Sequence, residues 1–588
     1  MPFRSDLAEN FIEEYRKYVQ FHSTIDILKD PPSTYPIPGV DLMAGLDWIL
    51  NKARNNEYSS QFEFDSDITK LILSVHDDHL DIYMCSTTVF QFTNNMALVS
   101  VSSDGIELPR VYTWHDAELQ HKGEKNVSPV ESIDGIDVEG YLEKLASGFF
   151  YPLSSARDPD ALYNSLFPSH PRSLYTSTKE TGAWAQNLLW PGSSHTLRFT
   201  NGTSLKMATL ARFITPPDTF NYRNGASLFE KLCLDTDLAF TPITRVRDPK
   251  FPQDTLSAYP TPFVNSSYHI SGYFPKLSND TAVLVVPTFK PDNPVEFSDI
   301  AKAFISNASA LHKRKIIIDL SSNGGGFLQS AIDLFRIFFP TAPVYTAARY
   351  RAHDGLNLIT KALNDAEQEQ RLDNFGLQSV DEAVKPDQKT GFSSWKDLYG
   401  THKTMGMYST SLRAITNFTA ASDENFPISG FGPIPLNPTS SFFPAKDILI
   451  ITDGVCGSAC AIFATLMRSQ HTPTMAFGGR PKHSTMQAIG AVRGYQTAVN
   501  ASRDGTPKLS PNELSRYNHT VTAVPAAEWS LVRSANLNIE NMFIKGDDQL
   551  PLQFVYEPAD CRRFFTMGQY LQQDQVWDEA RKVGFDLI

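Results

Sequence analysis

The sequence predicts an α/β protein of several domains (an α+β multi-domain chain), and three observations support this prediction. A strand, a glycine-containing turn and a helix follow one another twice, after residues 315–320 and again within residues 446–469. Residues 86–225 instead read as short alternating strands separated by turn residues. A chain of 588 residues also exceeds what one hydrophobic core organises, so we expect more than one domain.

The composition excludes several classes of function. The chain is 41% hydrophobic and 20% charged, which is typical of a folded globular protein. Its formal net charge is −13, which argues against nucleic acid as a partner because phosphate contacts need a basic surface. No apolar run reaches the roughly 18 residues that a membrane-spanning helix needs, so we expect no membrane-spanning helix.

The cysteines and the glycosylation sequons bear on the cellular compartment in which the protein is located. The five cysteines have neither metal-site nor disulfide-framework spacing, and we interpret Cys456 and Cys460, which could pair, as small buried side chains. Eight N-x-S/T sequons favour a secretory or extracellular location, and they lie at Asn126, Asn201, Asn265, Asn279, Asn307, Asn417, Asn500 and Asn518. The first residues lack the apolar segment of a signal peptide, so the two observations point in opposite directions.

We divide the chain into five parts by pattern. They are an N-terminal helical region at 1–85, a β-rich module at 86–225, a first part of the α/β core at 226–339, an insertion or lid at 340–445, and a second part of the core with a C-terminal helix at 446–588. The first region is predicted to be helical because apolar residues such as Phe11 and Tyr15 share a helical face. The module is predicted from strands such as residues 109–114 and from an Asp-Gly turn at 134–135.

A polar turn, His76-Asp77-Asp78-His79, ends the helical region. Two histidines beside two acids could bind a metal, but the sequence offers no third and fourth ligand nearby. A solvated turn is a second interpretation. The third is a catalytic base, because the histidine pKa suits proton transfer near neutral pH.

The first part of the core contains two continuous apolar runs, at 282–289 and 315–320, as expected of strands covered on both faces. A helix is expected between them at 297–311. The second run leads into Asn323-Gly324-Gly325-Gly326, where glycine backbone N–H groups can approach a ligand closely. Neither a P-loop nor a dinucleotide fingerprint matches, which leaves a plain helix-entry loop as the alternative.

Ser458 lies where the apolar run 448–451 gives way to a helical pattern, between Gly457 and Ala459. A serine there stands at the positive end of a helix beside free backbone N–H groups, the setting that an oxyanion-forming nucleophile needs. The alternative is that Ser458 is only a helix N-cap, since serine is a preferred cap.

At these residues the sequence resembles the S41 family of serine peptidases, the tail-specific or C-terminal processing proteases, and in particular fungal members similar to the chlamydial protease-like factor. DLSSNGGG resembles the family's Asp-Leu-Arg-x-Asn-x-Gly-Gly block, and ITDGVCGSACAIFA resembles its nucleophile block, with Ser458 on the catalytic serine. HDDH resembles the early Asp-x-His element, which places His79 on the catalytic histidine. The resemblance runs in order through residues 70–565.

The resemblance implies a crotonase-like ββα catalytic core, a PDZ-like module in the β-rich segment and an endopeptidase activity. Ser458 would attack the peptide carbonyl and His79 would take its proton. N–H groups of Ala459 and of Gly325 or Gly326 would hold the oxyanion. The late acid that orients the histidine would be Glu557, with Asp560 as the alternative.

The sequence departs from the family at one block. Relatives that use a Ser–Lys dyad carry Gly-Lys-Gly-Ser-x-Gln, whereas this chain has PKHSTMQ, in which His483 occupies the place of the lysine if Gln487 matches the glutamine. This favours the Ser–His variant, with Lys482 as the alternative base. We expect a polypeptide substrate and no metal or cofactor, and a catalytically silent peptide- or ligand-binding protein is the alternative function.

Overall fold

The structure, a computed structural model, describes residues 1–148, 156–176, 181–213, 221–234, 258–276, 278–365, 380–400, 402–499 and 530–585. Its α-helices are α1 (Ser5–Val19), α2 (Leu42–Arg54), α3 (Gln61–Leu73), α4 (Trp114–His121), α5 (Val138–Ser147), α6 (Pro159–Ser165), α7 (His170–Thr176), α8 (Gly225–Phe229), α9 (Pro294–Ala310), α10 (Leu328–Phe338), α11 (Asp354–Asp365), α12 (Trp395–Tyr399), α13 (Phe418–Ala421), α14 (Ala459–Ser469), α15 (Met567–Leu571) and α16 (Gln573–Val583). In this part of the chain, no helix is long and apolar enough to cross a membrane.

The strands up to residue 300 are β1 (Asp81–Met84), β2 (Phe90–Thr93), β3 (Leu98–Val101), β4 (Arg110–Thr113), β5 (Val130–Ile133), β6 (Ile136–Asp137), β7 (Gln186–Asn187), β8 (Ser194–Phe199), β9 (Ser204–Ala208), β10 (Leu210–Phe213), β11 (Val264–Ser266), β12 (Ile270–Tyr273) and β13 (Thr281–Val285). Those that follow are β14 (Lys315–Asp319), β15 (Ala347–Tyr350), β16 (His402–Thr404), β17 (Met407–Ser409), β18 (Arg413–Ala414), β19 (Ile448–Thr452), β20 (Thr474–Phe477), β21 (Tyr495–Val499), β22 (Val532–Phe543) and β23 (Cys561–Arg563).

A seven-stranded sheet in the order β11-β12-β13-β14-β19-β20-β23 is the centre of the molecule. Its strands run parallel from β13 through β23, and β11 and β12 are antiparallel at one edge. All residues of β13 and β19 are buried, as expected of strands with helices on both faces. Alternate strand residues pack on one side against α9, α10 and α14, and on the other against α16. The α/β prediction is therefore confirmed.

Strand pairing places the glycine loop and the serine turn next to each other. Strands β14 and β19 are parallel neighbours, with Ile316 opposite Ile448 and Asp319 opposite Ile451. The glycine loop follows β14 and the serine turn follows β19. Because parallel strands end at the same edge of a sheet, both turns reach that edge together.

The N-terminal region is helical as predicted and packs on a second sheet. Helices α1 to α3 and the following turn share a core with residues of β22, including Ala535 and Leu537. This sheet has the order β1-β22-β15-β18, and Asp81 of β1 pairs with Asn536 of β22. Since β15 and β18 lie within residues 340–445, the predicted insertion contributes strands to this sheet. The domain boundaries and the lid role stay predictions.

The β-rich module contains the strands and the helix predicted for it. Strands β5 and β6 form a hairpin at the Asp-Gly turn and lead directly into α5. They belong to a four-stranded sheet, β6-β5-β8-β9, whose inner face packs on α5 around Leu142 and Leu197.

The interpretation of the cysteines was wrong for two pairs. The structure contains disulfide bonds between Cys85 and Cys233 and between Cys456 and Cys460, and Cys561 is free. The first pair is separated by 148 residues, so spacing could not reveal it. The second lies at the start of a helix with its Cα atoms 5.3 Å apart, a distance that a disulfide spans readily.

Candidate active site

Ser458 lies at the N-terminal end of α14, immediately after the turn that follows β19. Its backbone has φ 52° and ψ −124°, and its side chain makes no capping hydrogen bond although it occupies the N-cap position. Its N–H donates to the carbonyl of Val492 at 2.8 Å. A positive φ is costly for a residue other than glycine and persists only where the surroundings impose it. The surroundings of Ser458 therefore impose its backbone conformation, and its half-buried hydroxyl does not serve as a helix cap.

Asp453 ties this turn to the glycine loop. Its Oδ1 accepts hydrogen bonds from the backbone N–H groups of Ser322, at 2.8 Å, and Val455, at 3.0 Å. The hydroxyl of Ser322 donates to the other carboxylate oxygen. One buried carboxylate thus fixes both turns at the edge of the sheet.

Gly325 lies directly against Ser458. A Cβ at this position would come within 2.7 Å of Ser458 Cβ and 2.9 Å of the Ala459 nitrogen, and the φ of Gly325 is +108°. Only glycine fits this approach without displacing the serine turn. Asn323 holds the loop, because its Nδ2 donates to the Val286 carbonyl at 2.7 Å and its Oδ1 accepts from the Gly325 N–H at 2.8 Å.

The backbone N–H groups around Ser458 differ in their partners. The N–H of Gly325 is engaged by Asn323. In the part of the chain that the structure describes, the N–H groups of Gly326 and Ala459 have no hydrogen-bond acceptor. Ala459 is the first residue of α14, where the helix leaves its N–H groups unsatisfied and partly positive. The Ala459 N–H is therefore an available donor for a negatively charged oxygen next to the serine, and the Gly326 N–H is a second available donor one residue after the Gly325 contact.

His79 lies in the turn between α3 and β1, with 4% of its surface exposed. Its backbone N–H donates to Asp77 Oδ1 at 3.0 Å. Among the described residues, its Nδ1 has no hydrogen-bond partner. Burial lowers the pKa of His79 to about 4, although the charge of Asp77 acts in the opposite direction. The imidazole is therefore neutral at pH 7 and can accept a proton.

Asp77 is the centre of a buried polar cluster. Its Oδ2 accepts hydrogen bonds from His22 Nε2 at 3.2 Å, Asn538 Nδ2 at 3.0 Å and Gln553 Nε2 at 2.8 Å. Burial raises the pKa of Asp77, but the hydrogen bond and charge of His22, the charge of His79 and the Gln553 hydrogen bond outweigh it and hold the pKa well below its usual value. Sequence reasoning missed these partners, since nothing in a single sequence links residue 77 to residues 538 and 553.

Residues 492–494 join the serine turn to this cluster. The carbonyl of Val492 accepts the Ser458 N–H, and a Cβ at Gly494 would come within 2.6 Å of Asn538 Oδ1. Asn538 in turn donates to Asp77, whose other oxygen accepts from the backbone of His79. These contacts lead from the turn that carries Ser458 to the turn that carries His79. Among the described residues, no hydrogen bond joins the two side chains directly.

The two candidate acids have different partners. Glu557 Oε2 accepts from Arg493 Nη1 at 2.7 Å, and the Glu557 side chain is 24% exposed. Burial raises the pKa of Glu557, but the charge and hydrogen bond of Arg493 and the charges of Arg468 and Arg157 outweigh this effect and lower the pKa below its usual value, so the carboxyl is ionised at neutral pH. Asp560 instead accepts from the backbone and hydroxyl of Thr474. No hydrogen bond joins either acid to His79 in the described chain.

Lys482 forms an exposed ion pair. Its Nζ lies 2.7 Å from Glu143 Oε2, and 48% of its side chain is exposed. Gln487 is buried and bonds to Asp158 through Nε2 and to the Glu557 N–H through Oε1. The described residues contain no group of three or more His, Cys, Asp or Glu side chains arranged for a metal ion.

Family models match two parts of the chain. The family model described as Peptidase family S41 matches residues 280–481, and the model of the CPAF-like PDZ domain matches residues 91–218. The PDZ-like prediction for the β-rich module is thereby confirmed.

Two curated relatives and one solved structure are similar over most of the chain. "Peptidase S41 family protein phomP1′" of Diaporthe leptostromiformis is 33% identical over 95% of this chain and 91% of its own length. "Peptidase S41 family protein ustP" of Aspergillus flavus is 33% identical over 72% of this chain and 95% of its own length. Mature CPAF complexed with lactacystin has a similar fold, with a TM-score of 0.52, 12% identity and 99% of both chains covered.

Proposed function

Because the chain belongs to peptidase family S41 and is a peptidase, we propose that it is a serine endopeptidase that cleaves polypeptides through an acyl-enzyme on Ser458. The observation that supports this most is the contact between Gly325 and Ser458 beside the unpaired N–H groups of Gly326 and Ala459. A nucleophile with two adjacent donors is the arrangement that acyl transfer requires.

In the proposed mechanism the Ser458 hydroxyl oxygen attacks the carbon of the peptide carbonyl. The carbonyl oxygen then becomes negatively charged. The N–H groups of Ala459 and Gly326 donate to that oxygen, while Gly325 provides the close approach. Removing one such donor in other hydrolases costs about 3–4 kcal/mol of transition-state stabilisation. When the intermediate collapses, the C–N bond breaks, and the protonated base gives its proton to the departing amine. Water then attacks the acyl-enzyme with the help of the same base, which releases the carboxylic acid product and restores the Ser458 hydroxyl.

His79 is the proposed general base. Its low pKa keeps the ring neutral, and the N–H bond to Asp77 fixes the turn that carries it. In structures without substrate, catalytic hydrogen bonds are often not yet formed, and we propose that the hydrogen bond between Ser458 and His79 forms in the Michaelis complex. Glu557 is the proposed third member, and its support is that it is ionised and held by Arg493 next to residues 487–493. The exposed ion pair of Lys482 disfavours it as the base, since a lysine base needs desolvation.

The proposed substrate is an extended polypeptide. The PDZ-like module matches a domain type that binds peptides by adding a strand to a sheet edge. We propose that it holds the substrate while the core cleaves it.

Labelling with a fluorophosphonate tests the function. The folded protein should react with one equivalent of probe, and mass spectrometry should place the adduct on Ser458. Urea-unfolded protein is the control and should not react, because the oxyanion donors act only in the folded site. A folded protein that binds peptides but takes no label would support the silent binding protein instead.

Replacing Gly325 by alanine should lower kcat by about 100-fold or more, which is the cost of losing an oxyanion site. The added Cβ would collide with Ser458 and the Ala459 nitrogen, at a φ that disfavours alanine. The matched control is Gly324→Ala, since a Cβ there meets nothing within 4 Å. Steady-state peptide hydrolysis measures both variants, and equal activity of the two would contradict the proposed donor geometry.

A further inference from the structure

The disulfide between Cys456 and Cys460 encloses the proposed nucleophile. Ser458 is the central residue of the five that the bond closes into a ring, and the Cα atoms of the two cysteines are 5.3 Å apart. Both cysteines are fully buried. Ser458 inside this ring has the positive φ described above, a backbone conformation that needs support from its surroundings.

Hydrogen bonds hold the loop side of the ring to its surroundings and close the ring internally on the helix side. On the loop side, the Cys456 carbonyl accepts from Ala491, and the Gly457 N–H donates to Asn323 at 3.2 Å. On the helix side, the Cys460 N–H donates to the Gly457 carbonyl at 2.9 Å. The disulfide joins these two sides covalently, so the backbone that carries the Ser458 side chain and the Ala459 N–H cannot change its conformation without straining the ring.

We propose that the Cys456–Cys460 bond is a positioning clasp, which holds Ser458 and the Ala459 donor in the geometry for attack, so that full activity requires the oxidised pair. This proposal rests on the proposed serine peptidase function. It also implies maturation in a compartment that permits disulfides, as do the second disulfide and the eight sequons.

Loop length separates this role from general stabilisation. A disulfide stabilises a fold mainly by restricting the unfolded chain, and the effect grows with the length of the loop that it closes. The Cys456–Cys460 loop spans four positions, whereas Cys85–Cys233 spans 148. The short bond should therefore matter mostly for the local geometry of the folded state, and the long bond mostly for stability.

The two bonds provide a matched pair of variants, Cys456→Ala/Cys460→Ala and Cys85→Ala/Cys233→Ala. In the clasp variant, Cys456→Ala/Cys460→Ala, we expect the rate of fluorophosphonate labelling and kcat to fall about 10- to 100-fold. This is the cost of a small misplacement of reacting groups. KM should stay within about twofold, because substrate binding does not use the ring. The remote variant, Cys85→Ala/Cys233→Ala, should keep the wild-type labelling rate, and its Tm should fall by about 4 °C or more.

Rates are normalised to folded protein by near-ultraviolet circular dichroism. Wild-type labelling at Ser458 together with an equal rate in the clasp variant would overturn the clasp alone. A clasp variant that does not fold would also overturn it, since a ring confined to one turn should leave the fold intact. Absence of labelling in the folded wild type would overturn the proposed function and the clasp together.

Discussion

The Ser458→Ala variant should hydrolyse peptides about 10⁴- to 10⁶-fold more slowly than the wild type, with the fold unchanged. Alanine removes the attacking oxygen and keeps the Cβ that packs against Gly325, so the serine turn retains its shape. The residual rate would come from substrate binding and from the oxyanion donors, which the variant keeps. Single-turnover hydrolysis of a fluorogenic peptide, with Tm as the fold check, measures the effect.

Ser469→Ala is the matched control for this variant. Ser469 ends the same helix, and its hydroxyl donates to the Leu466 carbonyl, away from the proposed site. We expect wild-type turnover from it. Turnover above about one percent of wild type in Ser458→Ala would assign the nucleophile to another residue.

His79→Ala should lower kcat by about 10³- to 10⁴-fold, since a positioned general base contributes about 10²–10⁴ and this variant also opens a buried site. The wild-type pH profile gives a second, independent measurement. A base must be deprotonated to act, and the pKa of His79 is about 4. The value of kcat/KM should therefore be level near neutral pH and fall about tenfold per pH unit only below about pH 4.

Lys482→Ala separates the two candidate bases. This side chain is paired with Glu143 at the surface, so its removal should change kcat less than about twofold. An active His79→Ala variant combined with an inactive Lys482→Ala variant would identify a Ser–Lys dyad. A fall in kcat/KM that begins near pH 6.5 would contradict the low pKa of His79, because an exposed histidine titrates at that pH.

The sequence predicts the parts of this molecule that follow from local patterns. The runs at 282–289 and 315–320 became buried parallel strands because continuous apolar residues need cover on both faces. The turns after β14 and β19 meet because parallel strands order them at one edge. The glycine loop and Ser458 could therefore be found from letters alone.

The rest of the site depends on contacts between distant residues, which no local pattern encodes. Asp77 contacts Asn538 and Gln553 through side chains from three separate segments. The resemblance of the sequence to the family predicts Glu557 as the late acid, but only the structure reveals Arg493 as its partner. Cys85 and Cys233 likewise meet within the core that the helical region forms with the second sheet.

The long sequence separation between the residues of the Asp77 cluster has a consequence for biosynthesis. Asn538 lies 461 residues after Asp77, and translation at about 5–20 residues per second separates their synthesis by about 20–90 s. Strand β1 has no partner in its sheet until β22 has left the ribosome, since β22 is its neighbour there. The histidine side of the site therefore stays unassembled on the nascent chain. If His79 is the base, as proposed, we expect this peptidase to be inactive while it is being made and unable to digest the unfinished chains on its own polysome.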